Sequence, residues 1–308
     1  MPDHFLSVGD WTQDELLELL ARSRELRRRF HQGERPQTLQ GRTLAMYFEK
    51  PSLRTHVTFE AGMNQMGGHA ILLRPEQVGI GTRESPRDVA RNLSRWVDCI
   101  MARTYSHDLV ATLAAEGSVP VINGLTDLLH PCQAMADLLT ISEKVEPKEA
   151  VLAWVGDGNN VANSLMLLAA VLGFDLRLAT PKSHQPALMV RRRSEELARA
   201  SGARIEWTSD PRRAVRGAQF IYTDTWTSMG QEAEAEMRRR IFSAYQVNAD
   251  LMAEAGDPWV MHCLPAHRGE EITDEVLDGP RSLVYEQAEN RLHAQKAILE
   301  RLMIGAVS

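Results

Sequence analysis

Little in this chain points beyond an ordinary soluble enzyme or binding protein. Three cysteines in 308 residues, Cys99, Cys132 and Cys263, form no even framework and no metal-ligand spacing. A disulfide scaffold is therefore excluded, and a reducing compartment is expected. No apolar run approaches the roughly 18 residues that a membrane-spanning helix needs. The first residues lack a basic stretch followed by an apolar one, so no secretory signal is expected. Positive charge is not in excess. Net charge is -6 and the isoelectric point is near 6.0, which argues against a nucleic-acid surface. The runs Arg27-Arg28-Arg29 and Arg191-Arg192-Arg193 have acidic neighbours and read as solvated helix faces. A cytoplasmic chain follows as the expectation.

What is present is a regular alternation. With 44% hydrophobic residues the chain can build a substantial core. Thr12-Gln13-Asp14-Glu15 reads as a capping box, with Trp11 and Leu16 as its staple, opening a helix to about Phe30. Strands are predicted at 43–48, 69–73, 98–103 and 119–122, and helices at 53–66, 86–96, 107–116 and 131–143. The polar segment Glu146-Pro147-Lys148-Glu149 separates a second series. Its predicted strands are 151–155, 175–179, 203–207, 219–223, 259–263 and 283–285, and its helices 161–172, 186–200 and 211–216. A last helix is predicted over 288–303.

The fold class is therefore α/β, with two doubly wound parallel-sheet domains and an active-site cleft between them. The expected domains are 1–146 and 147–287, with a C-terminal segment, 288–308, packing back on the first. Open parallel sheets bind ligands outside the carboxyl ends of their strands, so chemistry is sought in the loops after strands.

The first such loop is Ser52-Leu53-Arg54-Thr55, at the mouth of a helix. The amides of a first helical turn lack internal partners and the dipole is positive there, which suits an anion. Arg54 adds a planar fork matched to phosphate oxygens. A capping serine beside a surface arginine is the plain alternative. Arg103 at a strand end and His130-Pro131-Cys132-Gln133 at a helix start weigh against it. They place further donors at the same sheet edge, fit for a small phosphorylated carbonyl compound.

In the second series, Gly156-Asp157-Gly158-Asn159-Asn160 invites a dinucleotide reading. That fingerprint needs glycine where Val161 stands and an acidic residue where the next strand ends at Thr180. An oxidoreductase is disfavoured on both counts. Asn159 and Asn160 offer side-chain amides instead, Asp224 a carboxylate for an ammonium group, and Cys263 either a buried small hydrophobe or a functional thiol.

The motifs S-x-R-T after "FEKP", the strand-ending Arg103, and H-P-C-Q resemble the aspartate/ornithine carbamoyltransferase family. "DGNN", "DTWTSMG" and "HCLPAHRGEEI" are similar to its ornithine branch. The resemblance implies carbamoyl transfer from carbamoyl phosphate to the side-chain amine of ornithine. It implies that Ser52, Leu53, Arg54 and Thr55 hold phosphate, and that Arg103, His130 and Gln133 hold the carbamoyl group. Cys263, Leu264 and Arg291 would also touch carbamoyl phosphate. Gln77 would come from a neighbouring subunit, in a trimer or a multiple of trimers. Asn160, Asp224, Ser228 and Met229 would contact ornithine. The residues expected in the chemistry are Arg103, His130, Asp224 and Cys263, with no cofactor and no metal. Related carbamoyltransferases for acetylornithine, succinylornithine or putrescine remain open, as does a non-catalytic relative that only binds anions. Leu53 and His56 depart from the family's commonest loop, which has Thr and Arg there.

Overall fold

The computed structural model describes residues 4–305, apart from 229 and 231 and the side chain of Glu232. The chain forms two compact units, Met1–Leu139 with Glu289–Ser308, and Thr140–Ala288.

In the first unit the elements run α1 Gln13–His31, β1 Thr43–Phe48, α2 Leu53–Gln65, β2 His69–Leu73, α3 Pro75–Val78, α4 Pro86–Leu93, β3 Cys99–Arg103, α5 His107–Glu116, β4 Val121–Leu125 and α6 Pro131–Ser142. The capping box at α1 forms as expected: Glu15 N donates to Thr12 Oγ1 at 3.3 Å and Thr12 N to Glu15 Oε2 at 2.9 Å. Trp11 and Leu16 are both buried beside it. The sheet is parallel throughout, in the order β2-β1-β3-β4. Chain direction across the sheet reverses between β1 and β3, so a crevice opens at their carboxyl ends. Phe48 pairs with Arg103 at that edge.

The second unit runs β5 Val151–Val155, α7 Asn160–Leu172, β6 Asp175–Ala179, α8 Leu188–Ser201, β7 Ile205–Thr208, α9 Pro211–Val215, β8 Phe220–Thr223, α10 Ala235–Phe242, α11 Ala249–Ala255, β9 Trp259–His262 and α12 Asp274–Leu277, before α13 Val284–Ile304. This sheet is also parallel, β7-β6-β5-β8-β9, with its switch between β5 and β8. Trp154 and Tyr222, adjacent across that pair, are both fully buried and meet edge to face at 5.0 Å. Helix α7 is buried from Val161 to Leu172, which its apolar sequence requires.

From Glu289 onward α13 belongs to the first unit. Glu300 pairs with Arg22 of α1, Thr58 of α2 donates to Gln295 at 2.7 Å, and Lys296 bonds to Gln65.

Several expectations are corrected. Residues 283–285 are not a strand: Leu283 N donates to Val260 O at 2.8 Å in a single bridge, and α13 begins at Val284. The strand expected at 119–122 runs instead from Val121 to Leu125, through a buried Asn123 and Gly124. The short helices α3, α10, α11 and α12 lie in polar stretches with no clear periodicity. The bounds of the two compact units fall between Leu139 and Thr140, within α6.

Candidate active site

In the first unit, Ser52 caps α2 by accepting the Thr55 amide at 3.2 Å. The plain capping reading thus holds for Ser52, but Thr55 has a second role. It is buried, and its Oγ1 accepts from Arg291 Nη2 at 3.1 Å and from Arg103 Nη1 at 3.4 Å. Arg291 Nη1 donates to Gln133 Oε1 at 2.7 Å, and Gln133 Nε2 to Asp137 Oδ1 at 2.8 Å. Arg103, His130, Gln133 and Arg291 are each at least nine-tenths buried.

So the loop after β1, the end of β3, the start of α6 and helix α13 converge on one cationic cluster at the sheet's switch point. Burial pushes His130 well below the usual histidine range, and the guanidiniums of Arg291 and Arg103 push it further. Its imidazole is neutral near pH 7 and can donate one hydrogen bond without adding charge. Cys132 lies two residues beyond it. Its thiol is buried, pushed up to about 12, and faces Asn123 O at 3.4 Å.

Arg54 is half-buried on the first turn of α2, and Leu53 is 73% exposed. The Leu53 side chain therefore points away from the buried cluster, and only its amide faces the helix mouth. Gln77 does not join the cluster: it sits on the exposed helix α3, its amide oxygen accepting from Arg74 N at 3.2 Å.

In the second unit the loop after β5 meets the loop after β8. Asn159 caps α7 through Oδ1, accepting from Val161 N at 3.0 Å and Ala162 N at 3.1 Å. Its Nδ2 donates to Asp224 Oδ2 at 2.7 Å, across the switch point. The other carboxylate oxygen accepts from the Cys263 thiol at 3.0 Å and from Thr225 N at 2.8 Å. Asp224 is thus fixed from three sides at the carboxyl edge. Asn160, first residue of α7, and Ser228 are half-buried nearby in sequence. Met229 lies outside the described residues. Gly158 has no room for a side chain, because a Cβ would lie 2.2 Å from Pro186 N. That contact packs the segment after β6 against this loop.

Three supports were not anticipated. Arg238 of α10 is buried, donates from Nε to Trp226 O at 2.6 Å and pairs with Asp157, tying the loop after β8 to the loop after β5. His262 is fully buried: the Leu264 amide donates to its Nδ1 at 2.9 Å, which leaves the proton on Nε2, donated to Glu271 at 3.0 Å. Glu271 also accepts the His267 amide at 2.6 Å. This pair holds the backbone around Leu264, where φ is +56°, and so aims Cys263. Asp137 is the third, orienting Gln133. Arg238 sits in a string of arginines, His262 ends an apolar strand and Asp137 lies in a mostly apolar helix, so none of the three stands out in the sequence.

Known proteins match both units of the chain. The profile of the aspartate/ornithine carbamoyltransferase carbamoyl-P binding domain matches residues 3–143, and that of the Asp/Orn binding domain matches residues 148–302. The chain is 50% identical over 302 residues to the anabolic ornithine carbamoyltransferase of Pyrococcus furiosus, covering 97% of this chain and 96% of that one. It is 47% identical over 297 residues to the ornithine carbamoyltransferase of Wolinella succinogenes, covering 96% and 97%. The solved structure of the Pyrococcus furiosus ornithine carbamoyltransferase superposes with a TM-score of 0.95 at 49% identity, covering 99% of this chain and 98% of that chain. Two parallel sheets with a cationic cluster at one switch point and an Asn159–Asp224–Cys263 set at the other accord with these matches, and the chain belongs to the aspartate/ornithine carbamoyltransferase family.

Proposed function

We propose that the chain transfers the carbamoyl group of carbamoyl phosphate to the side-chain amine of L-ornithine, releasing phosphate and forming L-citrulline. The observation that carries the choice of acceptor is the Asp224 carboxylate, held by Asn159 and Cys263 where an α-ammonium group would dock. The relatives named ornithine carbamoyltransferase at about half identity support the same acceptor.

In this reading Ser52, Arg54, Thr55 and the first amides of α2 take the phosphate. A Leu at position 53 costs one hydroxyl donor but no amide. Arg103, Thr55 and neutral His130 face the carbamoyl oxygen, where negative charge grows as the amine attacks. Gln133, oriented by Asp137 and Arg291, takes the carbamoyl amide. The amine nitrogen bonds to the carbamoyl carbon, the bond from that carbon to the phosphate's bridging oxygen breaks, and phosphate leaves with that electron pair and takes up the proton the amine gives up. The amine must first be neutral, although an alkylammonium ordinarily titrates near 10.4. Clustered guanidiniums and exclusion of water favour the neutral form. Asn160, Ser228 and Met229 complete the ornithine contacts in this proposal, Cys263 and Leu264 lie beside both substrates, and Asp224 and Cys263 orient the acceptor. The transfer itself calls for no cofactor.

Side-by-side rates with ornithine, acetylornithine, succinylornithine and putrescine test the acceptor. Ornithine is expected to lead, and preference for an acylated amine or a diamine would overturn the assignment. We further propose a cytoplasmic trimer in which Gln77 serves a neighbouring subunit. Mixing refolded Arg54→Ala chains with Gln77→Ala chains then restores activity that neither has alone. Mixtures as inactive as their parents would contradict a shared site.

A further inference from the structure

Away from the carbamoyl-transfer residues, three metal-competent side chains of the first unit converge at the end of α1. His31 is the last residue of α1, and Glu289 and His293 stand one turn apart on α13. His31 Nε2 lies 2.8 Å from Glu289 Oε1, and His293 Nε2 lies 3.3 Å from the same oxygen. One ligand atom from each residue lies within 4.8 Å of the other two. We infer that His31, Glu289 and His293 form a binding site for a divalent transition metal of the zinc or cobalt class, which staples the end of α1 to α13.

Bond lengths favour this. A tetrahedral ion with ligands at about 2.0–2.1 Å needs its ligand atoms about 3.3 Å apart. The His293–Glu289 pair already has that separation. His31 must open by about half an ångström relative to Glu289, starting from 2.8 Å, to reach the spacing such ions demand. It can do so because it is exposed and ends its helix.

His293 is the rigid ligand. It is fully buried, with the Phe30 ring packed edge-on at 5.2 Å. Two imidazoles and one carboxylate suit zinc and its neighbours better than calcium or magnesium, which prefer oxygen alone. Three protein ligands on a partly exposed site leave a fourth position for water.

The competing cation is Arg27, whose Nε is 3.7 Å from Glu289 Oε1. Among the described residues, two other groupings of this kind are committed elsewhere. Asp224, His262 and Cys263 belong to the acceptor loops. In the grouping of His267, Glu270 and Glu271, Glu270 pairs with Arg239 and Glu271 holds His262. At Glu289, by contrast, two of the three partners are the ligands themselves.

The test uses the full chain freed of metal by chelation and titrated with Zn2+, reading the thermal midpoint and the bound stoichiometry. Because Cys263 could also take zinc, Cys263→Ser is titrated in parallel. The expected result is a saturable, one-to-one stabilisation in the parent and in Cys263→Ser. Affinity should fall at least about tenfold in His31→Gln, and should tighten in Arg27→Gln. His31→Gln without metal should keep its carbamoyl-transfer rate and its unfolding midpoint, which separates a lost ligand from a lost fold. Zinc affinity unchanged in His31→Gln, or stabilisation that disappears only in Cys263→Ser, would overturn the site.

Discussion

Thr55 shows how one side chain can serve both structure and chemistry. Its amide completes the cap on Ser52, and its hydroxyl lies between two arginines from distant parts of the chain. Arg54, beside it on the first turn, is the phosphate fork of the proposed site, while Asp224 belongs to the acceptor. Variants at these two residues should therefore separate the substrates. Arg54→Ala should raise the carbamoyl-phosphate requirement and lower kcat/KM by about a hundredfold or more, the scale of losing one donor to developing charge. Asp224→Asn keeps the size and one acceptor oxygen but loses the charge that pairs with an ammonium group. It should raise the KM for ornithine much more than the KM for carbamoyl phosphate. Steady-state kinetics with each substrate varied in turn checks both. Equal effects on the two substrates in either variant would refute the division of labour.

At the scale of elements, the loop after β5 is short and the one after β8 longer, and α10 fixes how they meet. Arg238 donates to the Trp226 carbonyl, two residues ahead of Ser228, and pairs with Asp157 in the other loop. Burial raises the Asp157 carboxyl, and Arg238 opposes that rise, so the pair is also an electrostatic necessity. Removing the charge would strand a buried carboxylate. Arg238→Lys keeps the charge but cannot reach both partners. It should stay folded, with the KM for ornithine raised on the order of tenfold, the worth of one charge-assisted hydrogen bond. The KM for carbamoyl phosphate should hold steady, and a rise in both would mark Arg238 as a general fold support.

This clamp also marks the limit of what sequence discloses. The meeting of loop 52–55, Arg103 and H-P-C-Q at one sheet edge was legible because each of them follows a strand or opens a helix. Arg238 sits in "EMRRRIF", a string like the solvated arginine runs, and its partner Asp157 is 81 residues away. Asn159 was visible as an amide, but not as the group that spans 65 residues to Asp224. The misread strand at 283–285 has the same cause. Val284 and Tyr285 carry β-favouring side chains, while packing on β9 sustains only one bridge before the helix begins.

For the whole molecule, burying imidazoles has a consequence for acid stability. His130 is held neutral by burial first, with Arg291 and Arg103 reinforcing it. His107 is also lowered by burial, partly offset by Asp108 and Asp10. In the unfolded chain both titrate near 6.5. Below that pH the unfolded chain takes up protons that the folded chain refuses, so stability rises with pH across this window. The contribution is fully present above about 6.5 and is lost as pH falls towards the depressed folded values. Glu254 and Asp278, lowered by exposed arginine partners, add the same sign only at more acidic pH, where carboxylates titrate, and solvent screens them. The thermal midpoint should therefore be level near neutrality and decline between about pH 6.5 and 5, before the carboxylates take part. His130→Gln preserves a buried polar group of similar reach without a titrating proton, and its midpoint should decline less steeply over the same interval. A parent midpoint that does not move there, or a variant that falls as steeply as the parent, would show that His130 is not held neutral by the fold.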